Sequence, residues 1–220
     1  MNISIICSDT LHPIYPLLEE WKNTQNQNHS VRLVSRKRDL THGDILFLIS
    51  CHEIIDDDIR ANFSKTLVIH ASDLPSGRGW SPHIWQILEG KRKIMVSLIE
   101  AEDKIDTGAI WKKIPIYIEP HELFNEINNK LFDIELKLMN FAMEKFNTIH
   151  PKPQFDKDAT YYRKRTPEDS RIDPYKSISD QFDLIRISDP DRYPAFMDYN
   201  GYRYNIYIEK VNPSNNDGKN

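Results

Sequence analysis

Short, almost unbroken apolar runs recur between residues 3 and 99, and they constrain the fold more than any other feature of the chain. They are Ile3-Ser4-Ile5-Ile6-Cys7, Val31-Arg32-Leu33-Val34, Asp44-Ile45-Leu46-Phe47-Leu48-Ile49-Ser50, Leu67-Val68-Ile69-His70 and Ile94-Met95-Val96-Ser97-Leu98-Ile99. A strand with one wet face alternates apolar and polar residues, whereas a strand covered on both faces is apolar throughout. Helical stretches separate the runs. In residues 13–23, Ile14, Leu17, Leu18 and Trp21 fall on one helical face, with proline at the entry. The pattern predicts an α/β fold, an open Rossmann-like sheet with helices on both faces, over roughly residues 1–118.

A long amphipathic helix is predicted over residues 121–149, where Leu123, Ile127, Leu131, Ile134, Leu138, Phe141 and Phe146 form one stripe and His150-Pro151 ends it. The stripe reads as core, with part of it left available for a homodimer interface. Residues 151–175 are polar and rich in proline and charge, an ordered excursion or a linker. In 196–208, Asn200-Gly201 between alternating runs predicts a β-hairpin. The organisation expected is therefore a Rossmann-like domain with its long closing helix over 1–150, an extension with the hairpin over 151–211, and a disordered tail over 212–220.

Composition narrows the functional classes. The 220 residues carry a net charge of −4 and a sequence pI of about 6.1, which disfavours a dedicated nucleic-acid binder. The mean hydropathy of −0.60, without an apolar run of membrane-spanning length, excludes a transmembrane helix. The start MNISIICSDT lacks the pattern of a signal peptide, and the two cysteines, Cys7 and Cys51, lie in apolar runs. A soluble, cytoplasmic protein is expected. The eight histidines are scattered without ligand spacing, so no metal site is expected. Neither a dinucleotide nor a P-loop glycine pattern occurs.

Only seven glycines are present, and four of them (Gly77, Gly79, Gly90, Gly108) lie between residues 70 and 108. Glycine serves where backbone turns sharply or approaches a ligand. This interval opens with His70 at the carboxyl end of an apolar strand, followed by Ala71-Ser72-Asp73-Leu74-Pro75-Ser76-Gly77-Arg78-Gly79-Trp80. Ligands of open α/β sheets bind just outside the carboxyl ends of strands. The next apolar run leads to Asp106-Thr107-Gly108; if the two strands are neighbours, Asp106 returns beside His70. A carboxylate next to an imidazole orients it and stabilises its protonated form.

The His-Ala-Ser-Asp-Leu-Pro…Arg-Gly segment followed by Asp106-Thr107-Gly108 resembles the folate-dependent formyltransferase family, which has an Asn-x-His-x-Ser-Leu-Leu-Pro loop and a later Asp-x-Gly. Among its members the chain is most similar to sugar-nucleotide N-formyltransferases acting on UDP-linked 4-amino sugars of pseudaminic-acid-type pathways, through Val68 to Gly90, through Arg165-Thr166-Pro167-Glu168-Asp169 and through Arg192-Tyr193-Pro194-Ala195-Phe196. The resemblance implies N10-formyltetrahydrofolate as donor, the amine of a nucleotide-linked amino sugar as acceptor, and His70 and Asp106 as catalytic pair. It further implies a cis Leu74–Pro75 bond. The pterin would lie against Ser50, Cys51, His52 and Ile54 and against the loop carrying Asp103 and Ile105. Ser72, Asp73, Arg78, Gly79, Trp80, Tyr162 and Arg165 are the residues expected to face the acceptor. Cys51 reads as an apolar wall of the pterin site, since a reactive cysteine needs an activating base.

The sequence departs from the family pattern at Val68, where the family has the Asn that helps to hold the formyl oxygen. Losing one such donor costs about a hundredfold in rate. Ser72, His52 or a backbone N–H could supply it, or the reaction leans harder on His70. Rival readings follow from the same resemblance. A methionyl-tRNA formyltransferase would usually add a C-terminal barrel and a basic surface, and a glycinamide ribonucleotide transformylase would keep the Asn. A non-catalytic relative in surface-glycan assembly would explain Val68 but not the retained His70 and Asp106.

Overall fold

The computed structural model describes residues 1–211. In chain order the elements are β1 (Asn2–Ile6), α1 (Tyr15–Gln25), β2 (Ser30–Val34), β3 (Gly43–Leu48), α2 (Asp57–Arg60), β4 (Phe63–His70), β5 (Arg78–Gly79), α3 (Pro82–Leu88), β6 (Lys93–Glu100), β7 (Ile110–Tyr117), α4 (Phe124–Lys145), β8 (Tyr161–Tyr162), α5 (Phe182–Arg186), β9 (Ala195–Tyr199) and β10 (Tyr202–Ile206). Two compact units result, one from residues 1–118 and 128–164, the other from residues 119–127 and from Arg165 onward. The stretch 212–220, expected to be disordered, lies outside the described residues.

In the first unit, six strands form one sheet in the order β2-β1-β3-β4-β6-β7. The four strands up to β4 run parallel, and β6 and β7 run antiparallel to their neighbours. Each apolar run of the sequence became a strand, and burial on both faces explains why the inner strands β1, β3, β4 and β6 do not alternate, whereas Arg32 is exposed on the edge strand β2. On one face Trp21 of α1 sets its ring edge-on to Phe47 at 6.2 Å and donates to Asn140 Oδ1 of α4 at 2.8 Å. On the other, Ile6, Leu46, Ile55 and Phe63 form a buried cluster against which Leu48, Cys51 and Ile59 pack. β7 has no such apolar signature because Lys112, Lys113 and Pro115 interrupt it. Within the sheet it pairs with β6, with a single further bridge from Ile110 to Lys152, and proline is tolerated on an edge strand.

Helix α4 is shorter than the predicted 121–149 at both ends. The Glu122 carboxylate accepts from the Glu119 N–H at 2.8 Å, and Glu126 from the Leu123 N–H at 2.9 Å, so a capping turn occupies the entry. Its buried stripe is Ile127, Leu131, Phe132, Leu138, Met139 and Ala142. Ile134 and Phe141 flank that stripe, half-buried.

The second unit is built on Ile172, Ile185 and Ala195, with Leu184, Met197 and Ile206 packed on them. The buried Arg186 guanidinium donates to the carbonyls of Glu119 (3.2 Å) and Glu122 (2.8 Å) and to Asp183 (2.6 Å). β9 and β10 form the expected hairpin, and Asn200 (φ 49°) and Gly201 (φ 82°) take the left-handed conformations that a two-residue type I′ turn needs.

Candidate active site

His70 ends β4 and is buried, its backbone paired with Ser97 of β6. The chain then passes through a cis Leu74–Pro75 bond and returns so that the Gly77 carbonyl lies 2.8 Å from His70 Nε2. A carbonyl only accepts, so Nε2 carries a hydrogen there. The other nitrogen, Nδ1, faces Asp106 Oδ1 at 3.5 Å, and both side chains are less than a tenth exposed. A carboxylate set beside the second ring nitrogen orients the imidazole and stabilises its protonated form.

The loop carrying Asp106 reaches this position through unusual backbone. Asp106 has φ 58°, and its second oxygen, Oδ2, accepts from the Gly79 N–H at 2.9 Å. A Cβ at Gly108 would stand 1.8 Å from the Glu100 carbonyl oxygen, and one at Gly79 would stand 2.3 Å from that of Tyr162. Only glycine permits either approach. The Asp106-Thr107-Gly108 and Arg78-Gly79 motifs are thus the local conditions for the carboxylate to meet the imidazole.

A family model described as formyl transferase matches residues 18–143, more than half of the chain. The chain belongs to the formyl transferase family. Among solved structures, the methionyl-tRNA formyltransferase of Clostridium thermocellum is similar at 26% identity and a TM-score of 0.82, covering 96% of this chain and 94% of that one. A sugar N-formyltransferase of a Shewanella species matches at 16% identity and a TM-score of 0.72, covering 96% and 99%. HypX of Aquifex aeolicus, solved with tetrahydrofolic acid, matches at 20% identity and a TM-score of 0.71, but this chain spans only 36% of it. At these lower identities the likeness is one of fold.

In this formyl transferase the residues expected at the pterin lie on two loops that touch. Arg60 of α2 ion-pairs with both Asp57 and Asp103, tying the segment after β3 to the loop before Asp106. Ile54 and Ile105 are 81% and 62% exposed, apolar side chains held in water on those loops. Ser50 (φ 45°) shares a hydrogen bond of 3.0 Å with His12 Nε2. Cys51 packs against the apolar cluster, and burial pushes its thiol up, away from thiolate character.

The residues expected at the acceptor divide. Trp80 is 37% exposed, with the His52 ring centroid at 6.2 Å and Lys164 Nζ 4.6 Å above its ring. Asp73, exposed, pairs with Lys113 Nζ at 2.5 Å and helps to line a cavity of about 310 Å³ with Gln86, Lys91, Lys93 and Tyr162. Tyr162 donates to Glu89 at 2.8 Å and stacks on Trp85, and burial together with Glu89 raises its phenol. Arg165 belongs to the second unit, where it donates to the Asp169 carbonyl and Ser170 Oγ.

Two of the residues expected at the acceptor are enclosed in this structure. Arg78 presents no charge to an acceptor, because its guanidinium is fully buried and donates to Asp156 (2.8 Å), the Tyr161 hydroxyl (3.0 Å) and Gln154 (3.0 Å). Ser72 is 1% exposed, and its hydroxyl is enclosed without a partner. Val68 sits between Leu48 and Ile99 in the sheet, an apolar side chain at the position of the family's Asn. Of the groups weighed as its replacement, the Ser72 hydroxyl is enclosed and the His52 backbone N–H is taken by Ser8 Oγ at 2.9 Å, which leaves the exposed His52 imidazole. The sequence reading missed Lys113 and Gln154, which hold the two loops and sit in unremarkable polar surroundings.

Proposed function

We propose that the protein is an N-formyltransferase carrying the formyl group of N10-formyltetrahydrofolate to the free amine of a nucleotide-linked amino sugar, with a UDP-linked 4-amino-4,6-dideoxy sugar as the first acceptor to try. The single observation that carries the reaction class is the buried His70–Asp106 pair at the carboxyl end of β4, in a chain of the formyl transferase family. The exposed Ile54 and Ile105, on loops linked by Arg60, fit the edges of a flat heterocycle. When bound, N10-formyltetrahydrofolate supplies the electrophilic formyl carbon and departs as tetrahydrofolate. The His70–Asp106 pair takes up the proton that the acceptor amine sheds as its new bond forms and returns it to the donor nitrogen as the formyl–nitrogen bond breaks, with Asp106 orienting the imidazole. With Val68 unable to donate, electrostatic support of the formyl oxygen falls to the protonated His70 or to the exposed His52 imidazole.

For the acceptor, Trp80 offers a half-exposed ring with Lys164 above it, a surface that suits a base beside a phosphate. The net charge of −4 supports this choice, since it suits a small anionic substrate less badly than a long polyanion. A second reading, methionyl-tRNA as acceptor, is favoured by the 26% identity to the C. thermocellum structure. The deciding experiment incubates the protein and donor with UDP- and dTDP-linked 3- and 4-amino sugars and, separately, with methionyl-tRNA. Mass spectrometry then reads a gain of one formyl group. Formylated sugar nucleotide with untouched tRNA is the expected result, and the reverse pattern would replace the first reading with the second.

A further inference from the structure

Resting on that assignment of Asp106, we infer that Gln154 is a positioning residue, a polar clamp that sets the Asp106 carboxylate against His70. Its Nε2 donates to two carbonyls at once, that of Asp106 at 3.0 Å and that of Gly108 at 2.8 Å. Its Oε1 accepts from the buried Arg78 at 3.0 Å. Arg78 can only donate and the two carbonyls can only accept, so the side chain between them must be an acceptor at one end and a double donor at the other. An amide meets that requirement, and its orientation is fixed by its neighbours.

The clamp is itself anchored on both sides. Just before it, Lys152 exchanges two backbone hydrogen bonds with Ile110, the first residue of β7, at 2.7 and 2.8 Å. Just after it, Asp156 pairs with Arg78, whose guanidinium is held there by Tyr161 as well. Thr160 accepts from the Gly77 N–H through its hydroxyl at 2.8 Å and from the Arg78 N–H through its carbonyl at 2.9 Å, and β8 pairs with β5. One strap, residues 152–162, therefore fastens both partners of the catalytic pair. It holds the Gly77 carbonyl that orients His70, and through Gln154 it holds the backbone that presents Asp106. Asp106 needs this support because its left-handed φ of 58° is a costly conformation for a residue with a side chain.

The test uses Gln154→Ala and Gln154→Glu in the full chain. Alanine removes three hydrogen bonds without adding charge, and glutamate keeps the shape but turns an acceptor toward two carbonyls. The expected result for Gln154→Ala is a kcat lower by about 10- to 100-fold, the scale of an ångström-level misplacement, with KM for donor and acceptor within about twofold. Gln154→Glu should lose at least as much at pH 8. Its activity relative to wild type should rise as pH falls toward 5, because the protonated acid regains one donor. Independently of turnover, hydrogen exchange read by mass spectrometry should speed up in residues 102–109 of Gln154→Ala and leave β1 and β3 unchanged. A Gln154→Ala protein within twofold of wild-type kcat, a loss confined to KM, or unchanged exchange in 102–109 would overturn the clamp. If wild type transfers no formyl group to any acceptor, the proposed function fails instead, and the exchange comparison alone decides the clamp.

Discussion

Replacing Glu135 by Gln should make the protein more stable in alkaline solution. Glu135 lies on α4 in phase with its apolar stripe, four residues after Leu131 and three before Leu138, both buried. Burial, with nothing to oppose it, pushes its carboxyl from the ordinary 4.5 up to about 8. A folded-state value above the unfolded one means that the folded chain holds the extra proton. Stability from this group is then intact below pH 4.5, declines as pH rises to 8, and stays diminished above that. A displacement of that size corresponds to about 5 kcal/mol if all of it is retained. The side chain is only half-buried, and solvent relaxation lowers the expected penalty to about 1–3 kcal/mol. Urea denaturation of wild type and Glu135→Gln at pH 4, 6 and 9 measures it. The two curves should nearly coincide at pH 4 and separate by about 1–3 kcal/mol at pH 9, with the variant the more stable. A variant equal to or weaker than wild type at pH 9 would refute the burial argument.

Two further substitutions probe the site. Gly108→Ala should lose most activity and about 2 kcal/mol or more of stability, since the new Cβ would stand 1.8 Å from the Glu100 carbonyl oxygen; thermal denaturation and a turnover assay read both. Ser72→Ala removes an enclosed hydroxyl that has no partner, so stability should hold or rise by about 1 kcal/mol while kcat stays within a few-fold of wild type. A hundredfold loss of kcat in that variant would mean that Ser72 does replace the family's Asn.

The fold was legible where burial leaves a local trace. β1, β3, β4 and β6 announce themselves as apolar runs because they lie inside the sheet, and Asn200-Gly201 announces its turn because few other pairs adopt it. β7 was not legible as a strand, because an edge strand bears the lysines and proline that central strands exclude. The long helix was placed correctly, but its buried stripe takes in Phe132, Met139 and Ala142 beside Leu131 and Leu138. Glu135 in the middle of that stripe was a visible irregularity. His70 and Asp106 could be singled out because glycine and proline gather around them. Arg78 misled because a buried guanidinium is rare. Its three acceptors come from residues 154–161, far along the chain, and no local pattern joins them. Gln154 escaped for the same reason, since its partners belong to a loop and an arginine that only the folded chain brings to it.

The most direct test of the central claim follows the formyl group itself. N10-formyltetrahydrofolate labelled in the formyl carbon is incubated with the preferred acceptor and with wild-type, His70→Asn or Asp106→Asn protein. Labelled product and released tetrahydrofolate are measured together, and circular dichroism verifies that each variant is folded. The account predicts equimolar product and tetrahydrofolate with wild type, and losses of at least about a hundredfold in both variants. Transfer that persists in folded His70→Asn protein would contradict it.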